Sequence, residues 1–460
     1  MKALLLPLMG CGLLLGCAGL PDQQLAREAM ARGDSETARQ NYEALAGKGY
    51  ADAQTALGDM AAGSRDPSRV AEAESLYRQA APSSVRAQSR LGRLLSRQGG
   101  ASDDQLKEAE SLLNQAIAQG EYSAVVPLTT LYLNYPQLSP ALDPQQLVDG
   151  WRAQGIGEAE LAQILIYRSQ GSYTAHLAEI EAKCQAQLAL QDVCYLELAT
   201  VYRLRQQPEA MEQLLTRLRG AYAASLVPPT RVESVALALA DPSIPAPAEL
   251  SLAKALLDEI APAYPGAWAS LAKLLYDYPA LGGTEEMLGD LERGRGAGDS
   301  RAELLTGRLY YDGRLLPMDP HLAEAHLLRA AAEQPAANYY LGQLYRRGLL
   351  GEVRPQDALD RLLLAARAGH STADLALAQM FSESLGVKVD RVNAYVFARM
   401  AASRAQPEAT RLLATLEPAM SAAERQRAAQ LLEEEQGTRQ VVDPVRLARI
   451  QPLQNGVDLL

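Results

Sequence analysis

Small side chains return at intervals of 34 to 36 residues in this 460-residue chain, each in the middle of a large apolar segment. Gly58 and Gly92 are 34 apart. Ala272, Gly307 and Gly342 follow one another at 35, and Ala378 comes 36 later. Bulky residues stand three positions to either side: Leu304 and Tyr310 around Gly307, Tyr339 and Tyr345 around Gly342, Leu375 and Phe381 around Ala378. An Ala-rich segment follows 23 residues later, at Ala330, Ala365 and Ala401. This period belongs to a repeat of two amphipathic helices. The small residue marks the crossing of the first helix (A) with the second (B), where a larger side chain would hold the axes apart. One such pair cannot bury its apolar face alone, so the units stack and stability becomes a nearest-neighbour sum.

Composition agrees with that architecture. Hydrophobic residues make up 48% of the chain, which excludes a wholly disordered polymer. Tyr (20) far outnumbers Phe (2), which suits rings packed inward with a hydroxyl at a wet edge. The formal charge of −11 argues against nucleic-acid binding, which needs Lys and Arg to neutralise phosphates. Residues 301–400 hold 12 Lys/Arg and 11 Asp/Glu, a net of +1, so the remainder carries −12.

The expected fold is all-α, a right-handed superhelical solenoid of helix-pair repeats. Its length resembles the tetratricopeptide family, and the longer A–B turns, such as Asp312-Gly313 to Asp319-Pro320, resemble its Sel-one-like relatives. Residues 17–135 form N-terminal repeats. Residues 136–250 form divergent ones, broken by Pro136, Pro140, Pro144, Pro228-Pro229, Pro242, Pro245 and Pro247. Residues 251–436 hold Sel-one-like repeats and a capping helix that starts at Ser421, where Ser421 and Glu424 form a capping box. Residues 437–460 lack periodicity and are expected to be disordered.

Residues 1–16 read as a signal peptide: Lys2, then an apolar run to Leu15 that is too short to span a bilayer. Leu14-Leu15-Gly16-Cys17 resembles a bacterial lipobox. The resemblance implies cleavage before Cys17, diacylation of its thiol and acylation of the new amino group. Leu8-Met9-Gly10-Cys11 competes, but would leave a very short apolar core. Ala18, where an Asp would imply inner-membrane retention, implies the outer membrane. Cys184 and Cys194 flank a turn near Leu190–Asp192; a disulfide between them and two buried thiols both remain open.

No catalytic motif is present. There is no phosphate loop, no Gly-x-Ser-x-Gly and no His-Glu-x-x-His, and the four His are scattered. The expectation is a protein without a catalytic site, metal or cofactor. Tyr339, Tyr340, Tyr345, Arg346, Arg347 and Arg354 are the residues expected to bind a partner, because Tyr and Arg are enriched at interface hot spots. A solvated rim with core tyrosines is the competing reading.

Longer stretches carry a more specific resemblance. Among them are Cys17-Ala18-Gly19-Leu20-Pro21-Asp22-Gln23, Gly49-Tyr50-Ala51-Asp52-Ala53-Gln54, Gly307-Arg308-Leu309-Tyr310-Tyr311-Asp312-Gly313 and Arg391-Val392-Asn393-Ala394-Tyr395-Val396-Phe397. The chain resembles the family of outer-membrane lipoproteins of alginate biosynthesis and export. That resemblance implies a scaffold at the outer membrane, facing the periplasm. Its implied partners are the alginate porin, periplasmic alginate-modifying proteins and the synthase complex. A repeat-protein regulator of another envelope system, such as cell-wall remodelling, would share the fold. An enzyme on helical pairs would need a convergent acid/base set that the sequence does not offer.

Overall fold

The computed structural model describes residues 22–31, 34–62, 67–97, 101–383, 388–404 and 406–439. All the regular structure among those residues is helical, with no strand among them. The described residues begin with three hairpins: α1 (Gln23–Ala31) with α2 (Ser35–Ala46), α3 (Ala51–Ala62) with α4 (Pro67–Ala80), and α5 (Val85–Arg97) with α6 (Asp103–Ala118). The middle holds α7 (Val125–Asn134), α8 (Pro144–Ala153), α9 (Glu158–Ser169), α10 (Leu177–Gln187), α11 (Val193–Leu204), α12 (Pro208–Ala223), α13 (Pro229–Ala240) and α14 (Leu250–Ile260). Four further pairs follow: α15 (Gly266–Asp277) with α16 (Thr284–Gly296), α17 (Ser300–Asp312) with α18 (Pro320–Ala330), α19 (Pro335–Arg347) with α20 (Pro355–Arg367), and α21 (Ala373–Ser382) with α22 (Arg391–Ala402). The described chain ends with α23 (Pro407–Ala419) and α24 (Ala422–Arg439).

Helix backbones pack extensively only on the next or next-but-one helix among the described residues. That is the stacking of a solenoid, not of a globule. The glycines explain the hairpins. A Cβ built on Gly58 would sit 2.5 Å from the Tyr77 ring; on Gly92, 2.7 Å from Leu113 Cγ; on Gly307, 2.7 Å from Leu327 Cγ; on Gly342, 2.6 Å from Leu362 Cγ. Each of those partners lies on the following B helix, about 20 residues on. The small residue is thus where a bulky B-helix side chain seats directly on the A-helix backbone.

The middle keeps the same frame with alanine. Ala162, Ala199 and Ala236 stand 37 and 37 apart and lead to Ala272 after 36; all four are buried. What diverges is the pairing: α7 packs on α9 more than on α8, and α11 packs on α13 as well as on α12. Several prolines that read as breaks are instead helix starts. Pro144 and Pro229 occupy the first turns of α8 and α13, as do Pro208, Pro320, Pro335, Pro355 and Pro407 in their helices. A missing N–H costs nothing there.

The long A–B turn after α17 closes as the sequence implies. Gly313 takes a left-handed conformation (φ 65°), and the Asp319 carboxylate accepts from the His321 and Leu322 amides to cap α18. At the far end Ser421 and Glu424 form the expected capping box, with Glu424 N donating to Ser421 Oγ at 3.3 Å and Ser421 N donating to the Glu424 carboxylate at 2.8 Å. The helix continues through Gly437 to Arg439, beyond the expected limit at 436. Arg439 is buried on Asp374. The rest of the tail, 440–460, lies outside the described residues, as do the signal segment and Cys17.

Candidate docking face

The A helices of the last repeats place aromatic and Arg side chains in contact from one unit to the next. The Arg308 guanidinium lies 5.4 Å from the Tyr276 ring centroid and 5.8 Å from that of Tyr340. Tyr340 meets Tyr311 and Tyr339 edge-on, both at 5.4 Å, and Tyr339 stacks on His370 at 4.3 Å. The ladder therefore runs from α15 through α17 and α19 to the turn that precedes α21. Its members are half-buried, and Arg347 beside it is exposed. Burial pushes the Tyr340 hydroxyl up to about 12 and raises that of Tyr311, so both stay protonated donors at neutral pH. Burial, helped by the Arg404 charge, lowers His370 to about 4, so its ring stacks uncharged.

The six residues expected to bind a partner divide into two groups. Tyr339, Tyr340 and Arg347 belong to this face. Tyr345 is only 5% exposed; its hydroxyl donates to Glu324 at 2.9 Å, and Arg354 covers its ring at 5.4 Å while reaching Glu324 at 3.4 Å. Arg346 donates to the Ala376 carbonyl at 2.9 Å and to Gln379, and burial lowers its pKa. Tyr345, Arg346 and Arg354 are committed to ties inside and between repeats. Tyr345 and Arg346 share α19 with the accessible residues but lie on the side of the helix that faces neighbouring elements, whereas Arg354 stands at the N-cap of α20.

Other polar groups that stand out in the structure are structural as well. Arg168 pairs with Glu197 at 2.6 Å beneath Tyr173, whose hydroxyl donates to Glu197 at 2.8 Å. Glu233 accepts from Arg301 at 2.8 Å, Ser270 at 2.5 Å and Tyr264 at 3.0 Å, which ties α13, α15 and α17. Arg203 donates to the carbonyls of Pro247, Ala238 and Ala246 and so holds the proline-rich loop 241–249. None of these is visible as a motif. The only sequence trace is a Glu interrupting an apolar helix face, as at Glu197 and Glu233.

His326 contacts Glu303 at 2.6 Å and stacks near Tyr310, a packing role. Among the described residues no group of three or more His, Cys, Asp or Glu could hold a metal ion, and no helix is long and apolar enough to cross a membrane. A cleft of about 270 Å³ between α7, α8 and α9 is lined by Tyr132, Pro136, Asp143, Gln145, Ile166 and Gln170 without a convergent catalytic set. Cys184 and Cys194 are buried free thiols.

Comparison with known proteins gives this architecture a family. The profile described as the AlgK tetratricopeptide repeat domain matches residues 176–261. The alginate biosynthesis protein AlgK of Pseudomonas aeruginosa is 55% identical over 427 residues, 93% of this chain and 90% of that protein. AlgK of Pseudomonas syringae pv. tomato is 48% identical over 97% of this chain and 94% of its own length, and AlgK of Azotobacter vinelandii 44% over 93% and 94%. Among solved structures, a protective antigen of uropathogenic Escherichia coli with an SLR fold aligns over 91% of this chain and 90% of its own, at 20% identity and a TM-score of 0.44. A Sel1 repeat protein from Oxalobacter formigenes aligns over 82% and 89%, at 22% and 0.36. With identities of 44–55% over nearly its whole length, this chain belongs to the AlgK family of alginate biosynthesis proteins.

Proposed function

We propose that the chain is a periplasmic scaffold of the alginate biosynthesis and secretion complex, anchored in the outer membrane through an acylated Cys17. In this reading it gathers the outer-membrane alginate porin, the periplasmic alginate-modifying proteins and the synthase complex, and helps localise the porin. It transfers no group itself, in keeping with its repeat fold. The observation that carries the reading is the Tyr276–Arg308–Tyr340–Tyr339–His370 ladder. It offers large, stiff, amphipathic side chains across consecutive repeats, the chemistry of a protein-binding surface. The net acidity of the remaining chain favours protein over a polyanion as the occupant.

The deciding experiment follows the porin in a strain that lacks this chain. The scaffold reading expects the porin to leave the outer-membrane fraction and alginate output to fall. Normal porin localisation together with normal output would end it.

A further inference from the structure

Cys184 lies in the last turn of α10 and Cys194 in the first turn of α11, with the connection 188–192 folding one helix onto the other. Both side chains are essentially inaccessible, at 0% and 1%, and both belong to one apolar core. They stand at the facing ends of two helices that pack on each other, in the same core that holds Tyr173. No carboxylate or His completes a metal site with them among the described residues. Two buried thiols at the facing ends of one helical hairpin, within a shared core, have one covalent chemistry open to them.

We propose that Cys184 and Cys194 are a dithiol that closes into a disulfide and pins the α10–α11 hairpin. The reaction is thiol–disulfide exchange with an oxidised disulfide donor, either a protein dithiol oxidant or a small-molecule disulfide. One Cys thiolate attacks the donor disulfide and expels a donor thiolate. The second Cys then displaces the remaining donor sulfur. Two S–H bonds are lost, one S–S bond forms, two protons leave, and the two electrons reduce the donor to its dithiol state.

Timing follows from burial. The neighbouring Cys194 and desolvation raise the Cys184 thiol far above its ordinary range, and the burial of both side chains admits no donor to the folded hairpin. Exchange therefore precedes the docking of α10 on α11, and folding then locks whichever redox form has been made. The inference rests on the position of the two thiols and not on the scaffold reading.

Both cysteines fall on one tryptic peptide, 184–203, since no Lys or Arg lies between Lys183 and Arg203. The full chain is refolded with reduced and oxidised glutathione, quenched in acid, denatured, alkylated with iodoacetamide without reductant and digested. The expected peptide is two hydrogens lighter than the dithiol and takes no alkyl group; reductant then lets it take two. Two alkyl groups without reductant would overturn the proposal, as would a link to any other cysteine. The oxidised chain should also melt a few degrees above the reduced chain, and a Cys184→Ala/Cys194→Ala variant should ignore reductant. Identical melting of the oxidised and reduced chains would overturn the pinning role.

Discussion

Gly342 shows how much of this fold rests on the absence of a side chain. Alanine there gains about 1 kcal/mol of helix propensity. Its methyl, however, would sit 2.6 Å from Leu362 Cγ and 3.3 Å from the Ala358 carbonyl, and crowding of a packed core costs about 1–3 kcal/mol. Crowding wins: Gly342→Ala should lower stability by about 1 kcal/mol and Gly342→Leu by about 3 kcal/mol, read by denaturant unfolding. Unchanged stability in the leucine variant would show that the A and B helices do not meet there. His370 makes a pH-dependent contribution. Its folded value, about 4, is below the ordinary 6.5, so the unfolded chain takes up the proton first. The contribution is complete above pH 6.5 and is lost as pH falls through 4. His370→Gln should flatten the loss of stability across that window, measured as thermal midpoint against pH. The glycine frame was legible in the sequence because each small residue shows beside its own neighbours. Glu197, Glu233 and Asp374 were not, because their Arg partners lie 29, 68 and 65 residues away and nothing local announces them.

The helix α24 illustrates what periodicity says about an element and where it stops. Its capping box fixed the start. Its end was set too early, since Gly437-Thr438-Arg439 has no apolar pattern of its own. The last turn is held by charge instead: Arg439 meets Asp374 at 2.5 Å with both side chains buried, and Glu435 pairs with Arg439 at 2.8 Å and with Arg367 at 3.1 Å. The helix packs on α22 through Val396, Ala428, Leu431 and Leu432, and so covers the previous B helix more than its own partner α23. Burial raises the Asp374 carboxyl while Arg439 opposes that rise, so removing the guanidinium leaves a buried, poorly paired acid. Breaking such a pair costs about 3–5 kcal/mol. Arg439→Ala should therefore speed amide hydrogen exchange in 422–439 and in the neighbouring turns of α21 and α22. Exchange in α1–α18 should not change, because stability passes only between neighbours. A uniform change along the chain would contradict that independence. The divergent middle reads in sequence as broken at its prolines, yet Pro144 and Pro229 start helices, a distinction that depends on one residue of register.

Across the whole molecule, architecture was the most legible property, because a repeat states its rule many times. Function was less so. Packing physics leads to a stack with a Tyr/Arg face, while alginate enters only through likeness to relatives. Two outcomes test the larger reading. Cys17→Ser should move the chain out of the outer-membrane fraction with its helical circular dichroism unchanged; continued membrane association would mean that lipid is not the tether. Tyr340→Ala with Arg347→Glu should cut in-cell crosslinking of residues 300–400 to a partner at least tenfold, with thermal stability reduced only modestly; undiminished crosslinking would place the contact elsewhere. The buried ion pairs then acquire a mechanical meaning. Arg168–Glu197, Arg301–Glu233 and Arg439–Asp374 join units that are consecutive or nearly so, and each lies in a dry seam. A stack stitched in this way, pulled from its two ends, should yield in steps under load, parting one junction at a time while the remaining units keep their grip.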